Sequence, residues 1–224
     1  MVNHKEEFRI QHPTLEAAQA VTDLVAQCDI EEIGEPDITL SDVLDMWNSI
    51  RIETDAWIAV SDANEIIGYG FVEMTGANRM DSCVFVHPSF KNQGIGTALL
   101  HKIEARAKLL SENREGEQWL MNQIPFTNLA ARALVENHGY QFSRLYERMK
   151  IKLGGLPVES ELPEGIELQT FVPDKEEEAL FFLYDETFRD AWGYTQKDFK
   201  TWISQKKGDH YDPSLCGTSG ISDE

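Results

Sequence analysis

The chain has 224 residues, a formal net charge of −19, and 42% hydrophobic and 10% aromatic content. That composition excludes a disordered chain and is enough for one sizeable domain plus part of another. The acidic balance argues against nucleic acid and anionic membranes as partners, because both would repel it, and no apolar stretch reaches membrane-spanning length. The opening, MVNHKEEFRI, carries acids and no apolar run, so no signal peptide is expected, and Phe8-Arg9-Ile10 reads as a first strand. Thr14 is placed to cap a helix with Leu15, Ala18, Val21, Val25 and Cys28 on one face. An acidic loop, Asp29 to Asp37, leads to a second helix with Leu40, Val43, Leu44 and Trp47 at i, i+3, i+4 and i+7. Ala56–Ser61 and Ile66–Thr75 then read as a hairpin about a turn at Asp62–Glu65.

The stretch from Ser82 to Arg106, SCVFVHPSFKNQGIGTALLHKIEAR, organises the rest. It opens as a strand, Cys83-Val84-Phe85-Val86, which His87-Pro88 stops because proline cannot donate to a sheet ladder. After Gly94-Ile95-Gly96 the period becomes helical, with Ile95, Leu99, Ile103, Ala107 and Leu110 in one stripe. Strand, glycine turn and helix make an anion site: glycines admit close approach, and first-turn amides lack partners inside the helix. The stretch has neither the third glycine of the dinucleotide fingerprint, since Leu99 stands there, nor the Gly-Lys-Ser/Thr of a nucleotide loop. On its own, Gly-x-Gly also fits a plain strand-to-helix turn.

Gln118–Ile124 reads as a fifth strand, and Thr127 opens a helix closed by Gly139. Gln141–Ser143 and Leu145–Leu153 read as a final hairpin. The segment at residues 154–165 is rich in glycine, proline and glutamate and reads as a linker. Beyond it the beginning recurs. Ile166–Phe171 is a strand; Leu180, Leu183, Tyr184, Thr187, Phe188 and Ala191 share a helix face; Thr195 caps a shorter helix with Phe199, Trp202 and Ile203. Cys28, Cys83 and Cys216 stand far apart with no metal-like spacing, as expected of reduced thiols in a cytoplasmic protein, with Cys83 packed in its strand.

The full word from Val84, Val-x-Val-x-Pro-x-Phe-x-x-Gln-Gly-Ile-Gly-x-Ala-Leu-Leu, closely resembles the acyl-CoA signature of the GNAT acetyltransferase family. The element order resembles the GNAT topology, an α/β (α+β) fold with a mixed central sheet flanked by helices. Residues 128–140 resemble the family's closing motif. The resemblance implies an acyl-CoA-dependent N-acetyltransferase that binds acetyl-CoA and transfers its acetyl group to a small-molecule or peptide amine. It implies cofactor contacts from the strand residues Val84, Phe85 and Val86, from the loop residues Lys91, Asn92, Gln93, Gly94, Ile95, Gly96, Thr97 and Ala98, and from Asn128. Lys91 stands where the family usually has Arg or Gln. The Val86 amide is the implied donor to the thioester carbonyl. No metal is implied.

The family often places its base, a glutamate, on a central strand, and the candidates here are Asp81 and Glu73, each of which also reads as a strand-end surface charge. His87 reads as a loop residue. Val135 occupies the place of the tyrosine that protonates the leaving thiolate in the family, which keeps open a non-catalytic acyl-CoA-binding module. Because CoA is anionic, a local basic patch is expected from Lys91, Lys102, Arg106 and Lys108. Glu31, Glu32, Glu35 and Asp37 read either as a solvated loop or as an attraction for a cationic acceptor.

The layout implied is a GNAT domain over residues 1–153, a linker at 154–165, and the N-terminal half of a second GNAT-like domain at 166–224. It is similar to the mycothiol-synthase type of double acetyltransferase, on residues including FRDAWGYTQKDF at 188–199. A structural or partner-binding fragment of a tandem protein is the third reading. Phe188, Trp192 and Trp202 are expected to be partly exposed and to favour a homodimer.

Overall fold

The computed structural model describes residues 7–152, 154–155, 162–206 and 211–221. The chain divides into two compact units, Met1–Ser143 and Arg144–Glu224. Among the described residues no helix is long and apolar enough to cross a membrane.

The first unit runs β1 (Phe8–Gln11), a 3-10 turn at Leu15–Ala17, α1 (Ala18–Ile33), α2 (Leu40–Ser49), α3 (Ile52–Asp55), β2 (Ala56–Ser61), β3 (Ile66–Met74), β4 (Arg79–Val86), a 3-10 turn at Pro88–Phe90, α4 (Ile95–Ser111), β5 (Trp119–Asn122) and α5 (Leu129–Asn137). Its five strands lie in sequence order, β1 to β4 antiparallel and β5 parallel to β4, giving a mixed sheet. Side chains alternate across a strand, so β2 feeds two cores. Ala56, Ile58 and Val60 join the core with Val21, Leu24 and Trp47, while Trp57 and Ala59 join the one with Ile95, Leu99 and Ile103. The sheet is thus sandwiched between α1 and α2 on one face and α4 on the other.

Two features hold α4 against the sheet. Gly68 on β3 leaves room for it, since a Cβ there would lie 2.6 Å from Ile95 Cγ2. Arg106 Nε donates to Asp55 Oδ1 at 2.7 Å, and Asp55 Oδ2 also accepts from the Arg51 amide at 3.1 Å. On the opposite face Trp47 Nε1 donates to Tyr69 Oη at 2.8 Å, and the Tyr69 ring stacks on Phe71 and Phe85.

Several local expectations are corrected. Helix α1 continues to Ile33 and stops at Gly34, which has φ +86° and whose amide donates to Ile30 O. The expected acidic loop is therefore partly helix, with Asp29, Glu31 and Glu32 in its last turns. Thr14 makes no side-chain cap, whereas Thr39 and Asp42 form a reciprocal capping box on α2. The expected hairpin at Gln141–Ser143 and Leu145–Leu153 does not form over residues 141–152, while Leu153 lies outside the described residues. Apolar alternation makes a strand only where a sheet edge pairs with it, and Phe142, Tyr146, Met149 and Ile151 are exposed there. The first unit accordingly ends at Ser143. Residues 156–161 of the expected linker lie outside the described residues.

The second unit comprises β6 (Ile166–Thr170), α6 (Glu177–Phe188), α7 (Phe199–Lys206), a 3-10 turn at Pro213–Leu215 and β7 (Gly217–Ile221). β6 pairs antiparallel with β7, the same strand–helix–helix–strand arrangement as β1, α1, α2 and β2. Asp198, rather than Thr195, accepts from the Thr201 amide at the start of α7. Trp202 is buried against Phe181 and Tyr184, contrary to the expected exposure, because it is the centre of this unit's small aromatic core. Phe188 and Trp192 remain exposed.

Candidate active site

The site begins where two strands part. β5 follows β4 only from Arg79↔Trp119 to Ser82↔Asn122, whereas β4 continues to Val86. Buried Ser82 pins the parting point: its Oγ donates to Met121 O at 3.0 Å and accepts from Asn122 Nδ2 at 3.1 Å. From Cys83 to Val86, β4 has β3 on one side and, among the described residues, no paired strand on the other. The His87 amide donates to Ile67 O at 2.9 Å. Amides alternate sides along an antiparallel strand, so those of Val84 and Val86 face the side that β5 has left.

Past this opening the chain turns into α4. His87 Nδ1 accepts from the Ser89 amide at 3.1 Å, and Pro88 starts the short 3-10 turn. Asn92 at φ +63° and Gly94 at φ +90° bend the chain back. Gly94 is the N-cap and offers no side chain to cap the first-turn amides of α4. Gly96 keeps this corner thin, since a Cβ there would sit 3.2 Å from Leu134 Cδ2 and 3.6 Å from Val86 Cγ2.

The residues of α1 and α5 close on the same opening. Cys28 donates its thiol to Val86 O at 3.4 Å. Asn128, the N-cap of α5, accepts from the Ala131 amide at 3.0 Å and donates from Nδ2 to Glu32. Lys91 of the loop is ion-paired with Glu31. Burial raises the proton affinity of Glu32 above the ordinary carboxylate value, with the Asn128 hydrogen bond opposing the shift. Burial, reinforced by the Glu32 charge, pushes the Cys28 thiol up to about 12.

The sequence-derived candidates thus fall into two groups. Val84, Phe85, Val86, Lys91, Asn92, Gln93, Gly94, Ile95, Gly96, Thr97 and Ala98 form one continuous strand–turn–helix corner, and Asn128 is bonded to Glu32 of α1, the helix that meets the corner through Cys28 and Glu31. Asp81 and Glu73 lie opposite each other in the β3–β4 register, on the still-paired part of the sheet. Three residues separate Asp81 from Val84, about 10 Å along a strand. Arg79 Nε holds Asp81 Oδ1 at 2.9 Å. Of the expected basic patch, Arg106 is turned to Asp55 and Lys91 to Glu31, so neither is a free cation.

Sequence reasoning missed Cys28 as part of the site and read Glu32 only as a solvated loop charge or an attraction for a cationic acceptor, not as a half-buried partner of Asn128. The readable signal was Gly34, the first helix stop after Cys28: α1 extended that far sets Glu32 four residues from Cys28 on one face.

The comparisons with known proteins agree with this geometry. Residues 53–142 match the family model described as the acetyltransferase (GNAT) domain. The match lies within the first unit, whose fold is the GNAT fold. The chain is 30% identical over 148 residues to a mycothiol acetyltransferase of Thermobispora bispora, covering 64% of this chain and 46% of that protein. It is 31% identical over 142 residues to the mycothiol acetyltransferase of Saccharomonospora viridis, covering 61% and 42% respectively. The chain therefore spans less than half the length of these curated relatives. Among solved structures, a GCN5-related N-acetyltransferase from Sphaerobacter thermophilus aligns over 99% of this chain and 69% of its own, with 26% identity and a TM-score of 0.77. A GNAT-superfamily phosphinothricin acetyltransferase from Sinorhizobium meliloti, solved in complex with AcCoA, shares the fold at 14% identity and a TM-score of 0.52, covering 61% of this chain and 76% of its own.

Proposed function

We propose that the GNAT domain binds acetyl-CoA in the opening between β4 and β5 and transfers the acetyl group to an amine by direct attack on the thioester. The observation that carries this reading is the parting of the strands at Ser82, with two outward β4 amides beyond it and an uncapped helix start at its end. Acetyl-CoA supplies the activated acyl group. The amides of residues 94–97 receive its pyrophosphate, as first-turn amides favour anions, whereas the Ala98 amide already donates to Gly94 O. The Val84–Val86 backbone pairs with the pantetheine arm, Asn128 orients it, and the Val86 amide polarises the thioester carbonyl. Lys91 exchanges Glu31 for a phosphate when the site fills.

The attacking amine must lose a proton. Glu32 is the proposed acceptor, because burial raises its proton affinity and it stands one turn beyond Cys28, whose thiol touches Val86 O at the opening. Asp81 and Glu73 are the alternative bases, farther along the sheet. The acidic end of α1, together with Glu35 and Asp37, favours a cationic acceptor, a small-molecule or peptide amine. The relatives' name points to mycothiol chemistry, and mycothiol-type amines belong in the acceptor panel. The second unit is proposed to be a partial second GNAT repeat, on its strand–helix–helix–strand order, and the cytoplasm is the proposed location. A second reading, acyl-CoA binding without turnover, is favoured by Val135 at the position of the thiolate acid, although a thiol of ordinary pKa near 8.5 leaves as its anion without one.

Calorimetric titration with acetyl-CoA and with free CoA tests the first claim: one site of micromolar affinity is expected, and a folded sample that binds neither overturns it. CoA release across an amine panel then separates transfer from binding alone.

A further inference from the structure

Outside the acyl-transfer opening, one cluster brings ligand atoms together without a role in the proposed reaction. His101 and Glu104 stand three apart on α4, on one helix face. His138 follows the last residue of α5, and its Nδ1 lies 3.1 Å from Glu104 Oε1 and 3.3 Å from Oε2. One ligand atom from each of the three residues lies within 4.8 Å of the others. We propose that His101, Glu104 and His138 form a binding site for a divalent first-row transition metal ion, zinc in the first instance, that ties α5 to α4.

The distances favour this set. Tetrahedral zinc, with metal–ligand bonds of about 2.0–2.2 Å, holds neighbouring ligand atoms roughly 3.3–3.5 Å apart. The Glu104–His138 pair already has that spacing. His101 is exposed, so its ring is free to close the remaining gap by a rotamer change. Its ring centroid lies 4.9 Å from that of His138 at an interplanar angle of 44°, an arrangement without parallel stacking to hold it. Two neutral imidazoles and one carboxylate make the His2Glu donor set with an open fourth position, and imidazole with carboxylate suits zinc.

Two further observations give the ion something to do. The nine-residue α5 contains no buried residue, so apolar packing anchors it weakly. The Tyr140 hydroxyl, just beyond His138, is enclosed without a hydrogen-bond partner among the described residues. A metal-bound water would offer that hydroxyl a partner. The cluster sits at the far end of α5 from Asn128, about 14 Å along the helix at 1.5 Å per residue, which makes the ion structural rather than a reactant.

The test is calorimetric titration of the chelator-stripped 224-residue chain with zinc chloride, beside His101→Ala and Glu104→Gln. His101→Ala removes a ligand but keeps the Glu104–His138 pair, so its metal-free melting temperature should match that of the parent. Glu104→Gln keeps a polar partner for His138 and removes the charged ligand. The expected result is one site of micromolar affinity or tighter, weakened at least about tenfold in each variant, with a zinc-dependent rise in melting temperature only in the parent. Equal zinc affinity in His101→Ala, or no binding by folded parent protein, overturns the site and leaves a histidine–carboxylate hydrogen bond alone.

Discussion

The thiol of Cys28 donates to the carbonyl oxygen of Val86 across 3.4 Å, from the middle of α1 to the last residue of β4. This contact covers the open side of β4 where its backbone has no paired strand. Burial is the main cause that pushes the thiol up to about 12 from an ordinary value of 9.0. A raised thiol favours the folded state fully below pH 9, and that contribution is lost as pH rises from 9 towards 12. Each pH unit in that window costs about 1.4 kcal/mol. Urea unfolding at pH 8, 9 and 10 should therefore show falling stability, and Cys28→Ala should flatten the slope by that amount per unit. A slope unchanged in the variant would place the alkaline sensitivity elsewhere.

Gly94 sits at φ +90° and caps the helix whose amides are proposed to receive the pyrophosphate. A side chain there is strained by about 1–2 kcal/mol. Gly94→Ala should lower stability by that amount and weaken CoA modestly. Gly94→Glu adds a negative charge in the anion cradle and should reduce CoA affinity by about a hundredfold or more, some 2.7 kcal/mol. Calorimetry on both variants checks this, with circular dichroism confirming the fold. Unchanged CoA affinity in Gly94→Glu removes the loop from the site.

Gly68 reports on the same helix from beneath. A Cβ at this position meets Ile95 Cγ2 at 2.6 Å and Ala59 Cβ and Leu99 Cδ1 at 3.1 Å, in a core with little room to shift. Gly68→Ala should cost about 1–3 kcal/mol by overpacking, read by urea unfolding, and should weaken CoA because Ile95 begins the helix of the cradle. A neutral effect on both would show that α4 is free to slide on the sheet.

The corner from Val84 to Ala98 was legible because it is local: a strand, a proline stop, two glycines and a 3.6-residue stripe lie within one stretch of chain. The GNAT fold and its mixed sheet followed from that word and from the element order. What was not legible depends on tertiary partners. Sequence cannot show that Arg106 turns to Asp55 rather than to a phosphate, because the two stand 51 positions apart and only the fold brings them together. It also cannot show that Glu32 meets Asn128, 96 residues on. The alternation at residues 141–152 carries strand character without a paired edge, and Trp202 is buried by aromatic neighbours from α6 that its own helix does not supply.

Glu32 offers a test in which function and stability move in opposite directions. Its proton affinity is raised, first by burial, so the charged form is disfavoured in the folded protein. The stabilising contribution of a raised carboxylate is present at acid pH and lost as pH rises through its folded-state value. Replacing it with the neutral isostere removes that cost, so Glu32→Gln should be at least as stable as the parent at pH 7. As the proposed base it must be ionised to act, so acetyl transfer should rise with pH through a value above the ordinary carboxylate range. Glu32→Gln should lower kcat by about 10²–10⁴, with that rising limb gone and CoA affinity kept within a few fold. Asp81→Asn, whose carboxylate is held by Arg79, should lower kcat far less. The reverse ranking, with Asp81→Asn inactive and Glu32→Gln near full rate, would move the base to the paired part of β4 and leave Glu32 as a positioning partner of Asn128.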